Sequence, residues 1–283
     1  YGCNNFCTYC IVPFVRGRER SRSPEHIIKE VLAAAADGAV EVCLLGQNVN
    51  SYCGETGLSF AELLREVCRI DGIERVRFMT SHPKDLSNEL IDVMSQERKI
   101  CKHLHLPMQS GSSKVLARMN RKYSKESYLD LVRRIRAKIP QIALTTDIII
   151  GFPGETEEDF EDTLDVVRQA GFAGAFTFIY SKRNGTPAAD MSNQVPQHAA
   201  KERFNRLLAT VNPIIYNESK KHAGKTITVL TDEQRAPNMY KGRSDDNSLV
   251  HFFCTRDCVG EFVDVQITEA KTFYLIGREK QEI

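Results

Sequence analysis

The 283 residues predict an α/β chain: a partial parallel (β/α)6 barrel whose first strand is missing, followed by a small antiparallel β-barrel. Three observations carry this expectation. Helix and strand signals alternate from about Ser23 to Tyr180, as βαβ units and a parallel sheet require. A cysteine-rich loop at the very start leads into the first helix, a place that in such sheets follows the carboxyl end of a strand. From Lys225 the texture changes to short alternating apolar segments separated by turn residues, the pattern of a small barrel. The expected division is residues 1–215 and 216–283.

Each element has a local reason. Ser23-Pro24-Glu25 supplies an N-cap with proline at the first helical position, and Gly38 stops that helix after Ile27, Ile28, Val31 and Leu32. VEVCLL (40–45) reads as a buried strand. Ser59 with Glu62 makes a capping box for a helix ending near Gly72, and RVRFMT (75–80) is the next strand. A helix from about Ser87 precedes HLHL (103–106), one over 124–138 precedes IALTTDIII (142–150), and one from Thr156 to Gly171 precedes AFTFIY (175–180). These five strands, with the one inferred before the cysteine loop, make six. A polar helical stretch runs from about Gln197 to His222, with Pro213 expected to interrupt or end it. KTITVLT, MYKGR, LVHFF, EFVDVQIT and TFYLIG then supply the strands of the second barrel.

Composition narrows the function classes. With 38 basic and 37 acidic side chains, no global attraction to a polyanion is expected, so any basic patch must be local. Nine cysteines is an odd number, and six of them stand loosely spaced at 43, 53, 68, 101, 254 and 258. That is not a secreted disulfide framework; it fits a reducing, cytoplasmic setting. No run of eighteen apolar residues exists, which excludes a typical membrane-spanning helix. A chain that begins at Tyr1 with a cysteine motif is expected to be a piece of something longer.

The opening YGCNNFCTYC places Cys3, Cys7 and Cys10 in one loop as C-x3-C-x2-C. Unrelated buried thiols are the bland alternative; a metal is the natural occupant. Structural zinc takes four protein ligands, and only three cysteines stand here, with no histidine nearer than His26. A 4Fe–4S cluster on three thiolates leaves one iron without a protein ligand, which makes a chemical site instead of an electron wire.

That spacing, with Tyr9 just before the last cysteine, resembles the signature of the radical S-adenosylmethionine (SAM) enzymes. The resemblance implies a 4Fe–4S cluster on Cys3, Cys7 and Cys10, SAM chelated on the open iron, and reductive cleavage to a 5′-deoxyadenosyl radical. IVPFVRGRERSR (11–22), LLGQNVNSY (44–52), HLPMQSGSSKVLARMNRKYS (105–124), TDIIIGFPGETEEDF (146–160) and YSKRNGTPAA (180–189) are similar to the methylthiotransferases, most closely the MiaB type acting on tRNA. This narrower resemblance implies addition of a methylthio group to C2 of an isopentenyl-adenosine beside the tRNA anticodon. It also implies an electron donor of flavodoxin or ferredoxin type, a sulfur source, no membrane, and a second 4Fe–4S cluster in an upstream domain. Sister enzymes acting on threonylcarbamoyl-adenosine or a ribosomal-protein aspartate, and a non-catalytic RNA-binding protein with a structural cluster, are the alternatives. The carboxyl-terminal barrel is similar to a TRAM domain, an RNA-binding module, although the connection around Asp232 to Pro237 looks short for one.

Further candidates sit at strand ends. Gly46, Gln47 and Asn48 follow a strand where a glycine lets a ligand approach the backbone and amides can bond a carboxylate or amine; the resemblance puts the SAM methionine moiety here. An ordinary polar strand–loop junction is the plain alternative. Thr80, Ser81 and Gln109 occupy equivalent positions and suit ribose or carboxylate recognition. Asp147 in an apolar strand needs partners, and either holds a ligand or makes a structural hydrogen bond. GFPGET (151–156) leads into an acidic first helical turn that disfavours phosphate. In radical SAM enzymes the corresponding strand borders the adenine, which makes Ile149 and Gly151 candidates, with Tyr180 and Ser181 further ones. Arg16, Arg18, Arg20 and Arg22 set four positive charges against Glu19, either as a clamp on RNA phosphates or as a solvated face. From residue 216 onward ten Lys/Arg face eleven Asp/Glu, so an RNA role for that barrel rests on the resemblance and on a local patch of Lys220, Lys221, Lys225, Lys241 and Arg243. Cys254 and Cys258 read as free buried or loop thiols.

Overall fold

The structure, a computed structural model, describes residues 1–54 and 57–280. Five parallel strands form an arc: β1 (Glu41–Leu44), β2 (Arg75–Phe78), β3 (His103–His105), β4 (Ala143–Ile150) and β5 (Gly174–Ile179). β1 and β2 make one ladder and β3, β4 and β5 another. The Val76–Ile100 bridge joins them, with the Val76 N–H donating to the Lys99 carbonyl at 2.8 Å. β1 and β5 are the edges of the arc. The strand expected before the cysteine loop has no counterpart among the described residues, where residues 1–10 are loop.

Helices α1 (Val12–Arg16) and α2 (Pro24–Ala36) precede β1, and α3 (Phe60–Cys68), α4 (Asn88–Gln96), α5 (Ser113–Arg118), α6 (Lys125–Lys138) and α7 (Glu157–Ala170) connect the strands. Their starts are where the capping chemistry puts them: Ser23, Ser59, Ser87, Ser124 and Thr156 each accept a backbone N–H of the first turn. α7 stops at Gly171 in the left-handed conformation. The two short helices, α1 and α5, were not expected; both lie in loops that shape the site. In β4, Leu144, Thr146, Ile148 and Ile150 turn to the buried side, while Thr145, Asp147 and Ile149 are only half-buried.

The long helix α8 (Gln197–Lys220) corrects one expectation, because Pro213 lies inside it and neither ends nor splits it. Leu207, Val211 and Ile215 are buried in the first core, and their packing offsets the hydrogen bond that proline forfeits. α8 therefore carries the chain across residue 215 without a break.

β6 (Thr226–Ala236), β7 (Met239–Ser244), β8 (Leu249–Phe253), β9 (Phe262–Ala270) and β10 (Leu275–Glu279) close a five-stranded barrel in the order β10-β8-β7-β6-β9. One pair, β8 with β10, is parallel, so the barrel is not antiparallel throughout. The short connection near Pro237 is a tight turn with Asn238 at φ 58°. Val229, Val250, Phe252, Val265 and Leu275 fill the barrel's own core, and Cys254 and Cys258 are buried there as free thiols. No described helix is long and apolar enough to cross a membrane.

This barrel docks against the amino ends of the parallel strands. Arg75 donates to the carbonyls of Arg243 (2.9 Å) and Thr228 (2.8 Å), and its guanidinium lies 4.7 Å from the Phe262 ring centre. Arg77 donates to Ser244 (2.6 Å) and Asp245 (3.2 Å) and pairs with Glu41 at 2.9 Å. The carboxyl ends of the strands are left to the cysteine loop.

Candidate active site

The cysteine loop is fastened from several sides. Thr8 donates its N–H to Met119 (3.1 Å) and its hydroxyl to the Arg118 carbonyl (2.9 Å), and its own carbonyl accepts from the Ala188 N–H (2.9 Å). Asn120, in the left-handed conformation at the end of α5, donates to the carbonyls of Asn5 and Phe6. The Cys3 N–H reaches the Gly17 carbonyl, and Gly2 is required because a Cβ there would collide with the Arg18 carbonyl. Cys7 is buried and Cys3 and Cys10 are half-buried.

Among the described residues no three His, Cys, Asp or Glu side chains are gathered to hold a single metal ion. Three thiols spread along one clamped loop suit separate corners of a cluster better than one shared ion. Burial pushes the Cys10 thiol up, so a bound cation is what would make it a thiolate. Cys7 Sγ already accepts from the Arg121 guanidinium at 3.4 Å, as a thiolate ligand would. The three residues fit the group.

Two strand-end candidates carry unusual backbone. Thr80 and Gln109 both lie at φ 63°, a region a β-branched or long side chain rarely enters. Thr80 holds it because its hydroxyl donates to the Gly46 carbonyl and its own carbonyl accepts from the Val49 N–H (3.2 Å). Gln109 holds it by extending the β3–β4 ladder, donating to the Asp147 carbonyl (2.8 Å) and accepting from the Ile149 N–H (2.9 Å). Strain of this kind gathers at binding sites. Asn48 donates to Asp85 at 2.6 Å, while its Oδ1 and the Ser81 hydroxyl are buried without a hydrogen-bond partner. Gly46, Gln47 and Asn48 share a cavity of about 370 Å³ with Arg16, Arg20 and Arg22. The structure thus brings the glycine–amide segment and most of the arginine strip together; Arg18 is exposed and does not line that cavity.

Asp147 is paired, with its Oδ2 3.4 Å from His105 Nε2, and its side chain is still 27% exposed. Ile149, Tyr9 and Tyr180 pack on a small apolar cluster of Val115, Met119, Phe152 and Ala188. The Tyr180 hydroxyl is buried without a partner, and burial raises its pKa. Gly151 is explained by the fold: its N–H donates to Glu155 at 3.0 Å, its φ is 74°, and a Cβ would lie 2.8 Å from the Ala200 Cβ. Glu155 pairs with Arg203 at 3.0 Å, yet burial pushes its carboxyl up to about 7. Ser181 is exposed.

Of the second barrel's basic candidates, Lys221, Lys225 and Arg243 share one cavity, and Lys220 and Lys241 do not line it. That cavity, of about 440 Å³, lies between the barrel and the amino ends of β3, β4 and β5. Lys241 pairs with Glu233 (2.8 Å) and Lys221 with Glu218 (2.5 Å), while Lys220 is exposed. Lys241–Glu233 is a cross-strand pair and Lys221–Glu218 an i,i+3 pair at the end of α8, so these two cations are partly consumed locally.

Sequence reasoning missed Arg121, Tyr123 and His82. Arg121 and Tyr123 stand inside a stretch quoted only for its resemblance, and no spacing rule points from them to Cys7. His82 is held neutral, its pKa pushed down to about 2 by burial and then by Arg121 and Lys84, and its ring meets Tyr123 edge-on at 5.8 Å.

The Radical SAM superfamily profile matches residues 1–167, and the TRAM domain profile matches residues 220–279. The chain is 56% identical over 287 aligned residues to the tRNA-2-methylthio-N(6)-dimethylallyladenosine synthase of Lachnoclostridium phytofermentans, an alignment covering 100% of this chain and 63% of that protein. It is 55% identical to the protein of the same name from Caldicellulosiruptor saccharolyticus, covering 98% of this chain and 59% of that protein. The chain thus spans about three fifths of the length of these relatives. Among solved structures, coproporphyrinogen III oxidase (HemN) from Escherichia coli superposes with a TM-score of 0.57 at 15% identity, over 94% of this chain and 64% of that one. TsrM from Kitasatospora setae, a radical S-adenosylmethionine methyltransferase, gives 0.56 at 17% identity, over 85% and 40%. At such identities the likeness is one of fold.

Proposed function

We propose, from the premise that this chain belongs to the radical SAM superfamily, that it forms the catalytic core and RNA-binding barrel of a tRNA methylthiotransferase. The reaction is addition of a methylthio group to C2 of an isopentenyl-adenosine beside the anticodon. The observation that carries the reading is the identity of 56% across the whole chain to a protein named for that reaction.

The chemistry explains the site. C2 of adenine offers no acidic proton to a general base, so the hydrogen must leave by another route. When bound, the cluster and SAM supply a 5′-deoxyadenosyl radical able to abstract it. Cys3, Cys7 and Cys10 would hold three irons and leave the fourth for SAM. Gly46 admits the methionine moiety close to the backbone, and the unpartnered Asn48 Oδ1 and Ser81 Oγ supply polar contacts for its charged groups. Ile149 and Tyr180 would border the adenine, packed as they are on the apolar cluster beside the cysteine loop. Asp147, paired with His105 and still 27% exposed, would accept from a ribose hydroxyl. Arg16 and Arg20, exposed beside the same mouth, hold phosphates while a splayed anticodon-loop base enters. The reading requires tRNA, a flavodoxin- or ferredoxin-type electron donor and a sulfur source, and places the protein in the cytoplasm.

Nucleoside mass spectrometry of tRNA tests it. A strain lacking the gene should accumulate isopentenyl-adenosine without its methylthio group, restored by the full-length gene and not by a Cys7→Ala copy. An unchanged level in the deletion strain, with the loss appearing on threonylcarbamoyl-adenosine or a ribosomal-protein aspartate, overturns this reading in favour of a sister enzyme.

A further inference from the structure

Arg121 lies directly behind Cys7, and its surroundings are unusual for a buried cation. The residue is 8% exposed. Its Nε donates to the Tyr123 hydroxyl at 2.9 Å, its Nη2 to the Pro107 carbonyl at 3.3 Å, and its Nη1 to Cys7 Sγ at 3.4 Å. The guanidinium carbon stands 5.2 Å from the Tyr123 ring centre. Among the described residues, no carboxylate lies within ion-pair distance of it. Arg77, as deeply buried, has Glu41 at 2.9 Å. Arg75, also buried and without an ion pair among the described residues, spends its guanidinium on two carbonyls and the face of Phe262, whereas Arg121 turns one N–H to a thiol.

A guanidinium stays protonated in a protein, so it cannot escape burial by shedding its charge. Burying it without a counter-ion is costly, and neutral acceptors return only part of that cost. The one polar neighbour able to become an anion at ordinary pH is the Cys7 sulfur, which a bound metal turns into a thiolate. The position is also rigidly prepared. The Tyr123 hydroxyl donates to the carbonyl of Pro107 or Met108, each 3.1 Å away, while accepting from Arg121. The ring of neutral His82 packs against the other side of Tyr123, and Asn50 holds His82 through both its N–H (2.8 Å) and its carbonyl (3.0 Å). Loops after β1, β2 and β3 thus converge on a single guanidinium whose free edge points at one sulfur.

We propose that Arg121 is the built-in counter-ion of the cluster-bearing Cys7 thiolate, a positioning residue whose N–H···S bond and positive charge make this cluster easier to reduce. This rests on the reading of Cys3, Cys7 and Cys10 as cluster ligands. A fixed positive charge and a hydrogen bond to a ligating sulfur both favour the state that carries the extra electron, which the electron donor supplies.

The test is an anaerobic redox titration of the full-length, cluster-loaded protein, following the electron paramagnetic resonance signal that changes when SAM is added. In Arg121→Met, that cluster should be about tenfold harder to reduce, a potential lower by ~59 mV for one electron. Arg121→Lys, which keeps the charge, should recover part of the shift. Unchanged potentials in both variants overturn the proposal. If Arg121→Met cannot retain the cluster while its metal-free form melts like the parent, the arginine is needed to hold the charged assembly, which supports the proposal. If the metal-free form melts lower, Arg121→Lys is compared with Arg121→Gln. A lower potential for the glutamine variant supports the counter-ion role, and equal potentials overturn it. A parent protein with no SAM-responsive signal at all would instead sink the assignment of the cysteine loop.

Discussion

The two mouths of the strand arc are built on opposite principles. At the amino ends, where the small barrel docks, Arg75 and Arg77 are buried with their guanidinium groups spent on four barrel carbonyls, Glu41 and the face of Phe262. At the carboxyl ends, Thr80 and Gln109 hold left-handed backbone, Asn48 Oδ1, Ser81 Oγ and the Tyr180 hydroxyl are buried without partners, and Arg121 has no carboxylate within ion-pair distance among the described residues. The docked mouth leaves one such atom, Glu41 Oε2, beside the ion pair with Arg77, whereas the open mouth gathers three. Buried polar atoms are ordinarily satisfied, so the greater number of unpartnered ones at the carboxyl ends points to the functional end without reference to any motif.

The contrast can be broken first at the docked mouth. Arg77→Ala strands Glu41 and two barrel carbonyls in a buried interface and should cost about 3 kcal/mol. Urea unfolding checks this, and a loss under about 1 kcal/mol would mean that the interface is not held by its charges. Glu155, beside the other mouth, comes next. Its folded carboxyl, raised to about 7, favours the protonated form, so its contribution is complete below the ordinary carboxylate range and is lost as pH rises through 7. The parent should therefore lose stability between about pH 5 and pH 8, by no more than about 3 kcal/mol, relative to Glu155→Gln. Parallel pH profiles for the two proteins would show that Arg203 fully compensates the burial.

Thr80→Gly has a smaller and two-sided effect. It should raise stability by about 1 kcal/mol by releasing the left-handed strain. The same change removes the hydroxyl bond to Gly46 and should weaken SAM binding, read by equilibrium dialysis. Tighter SAM binding in the variant would contradict the view that this strain serves the site. Smallest of all, Arg16→Ala and Arg20→Ala should leave the melting temperature unchanged, because both side chains are exposed. Each should weaken tRNA binding about uniformly and lower the salt slope by about one. An unaltered slope assigns them to a solvated face.

How much of this was legible follows from the same division. The five parallel strands, the capped helices and the five strands of the second barrel were readable because each is announced by local chemistry: serine or threonine caps, Gly171, period-two apolar segments. Cys3, Cys7 and Cys10 were readable because their spacing is itself the signal. Pro213 misled because α8 is held by Leu207, Val211 and Ile215 against the sheet, a tertiary effect that local propensity does not contain. The parallel β8–β10 pair depends on barrel closure, which no local pattern contains. Arg121 was invisible for the same reason: its partner Cys7 is 114 positions away, and only the folding of the loop after α5 onto the cysteine loop joins them.

The central claim is that the open mouth activates SAM on a cluster held by three thiolates. Its most direct measurement is 5′-deoxyadenosine released from SAM by the anaerobically reconstituted, reduced full-length protein. The account predicts release by the parent and its loss in Cys7→Ala. A parent that carries the cluster and binds SAM but never cleaves it would contradict the account.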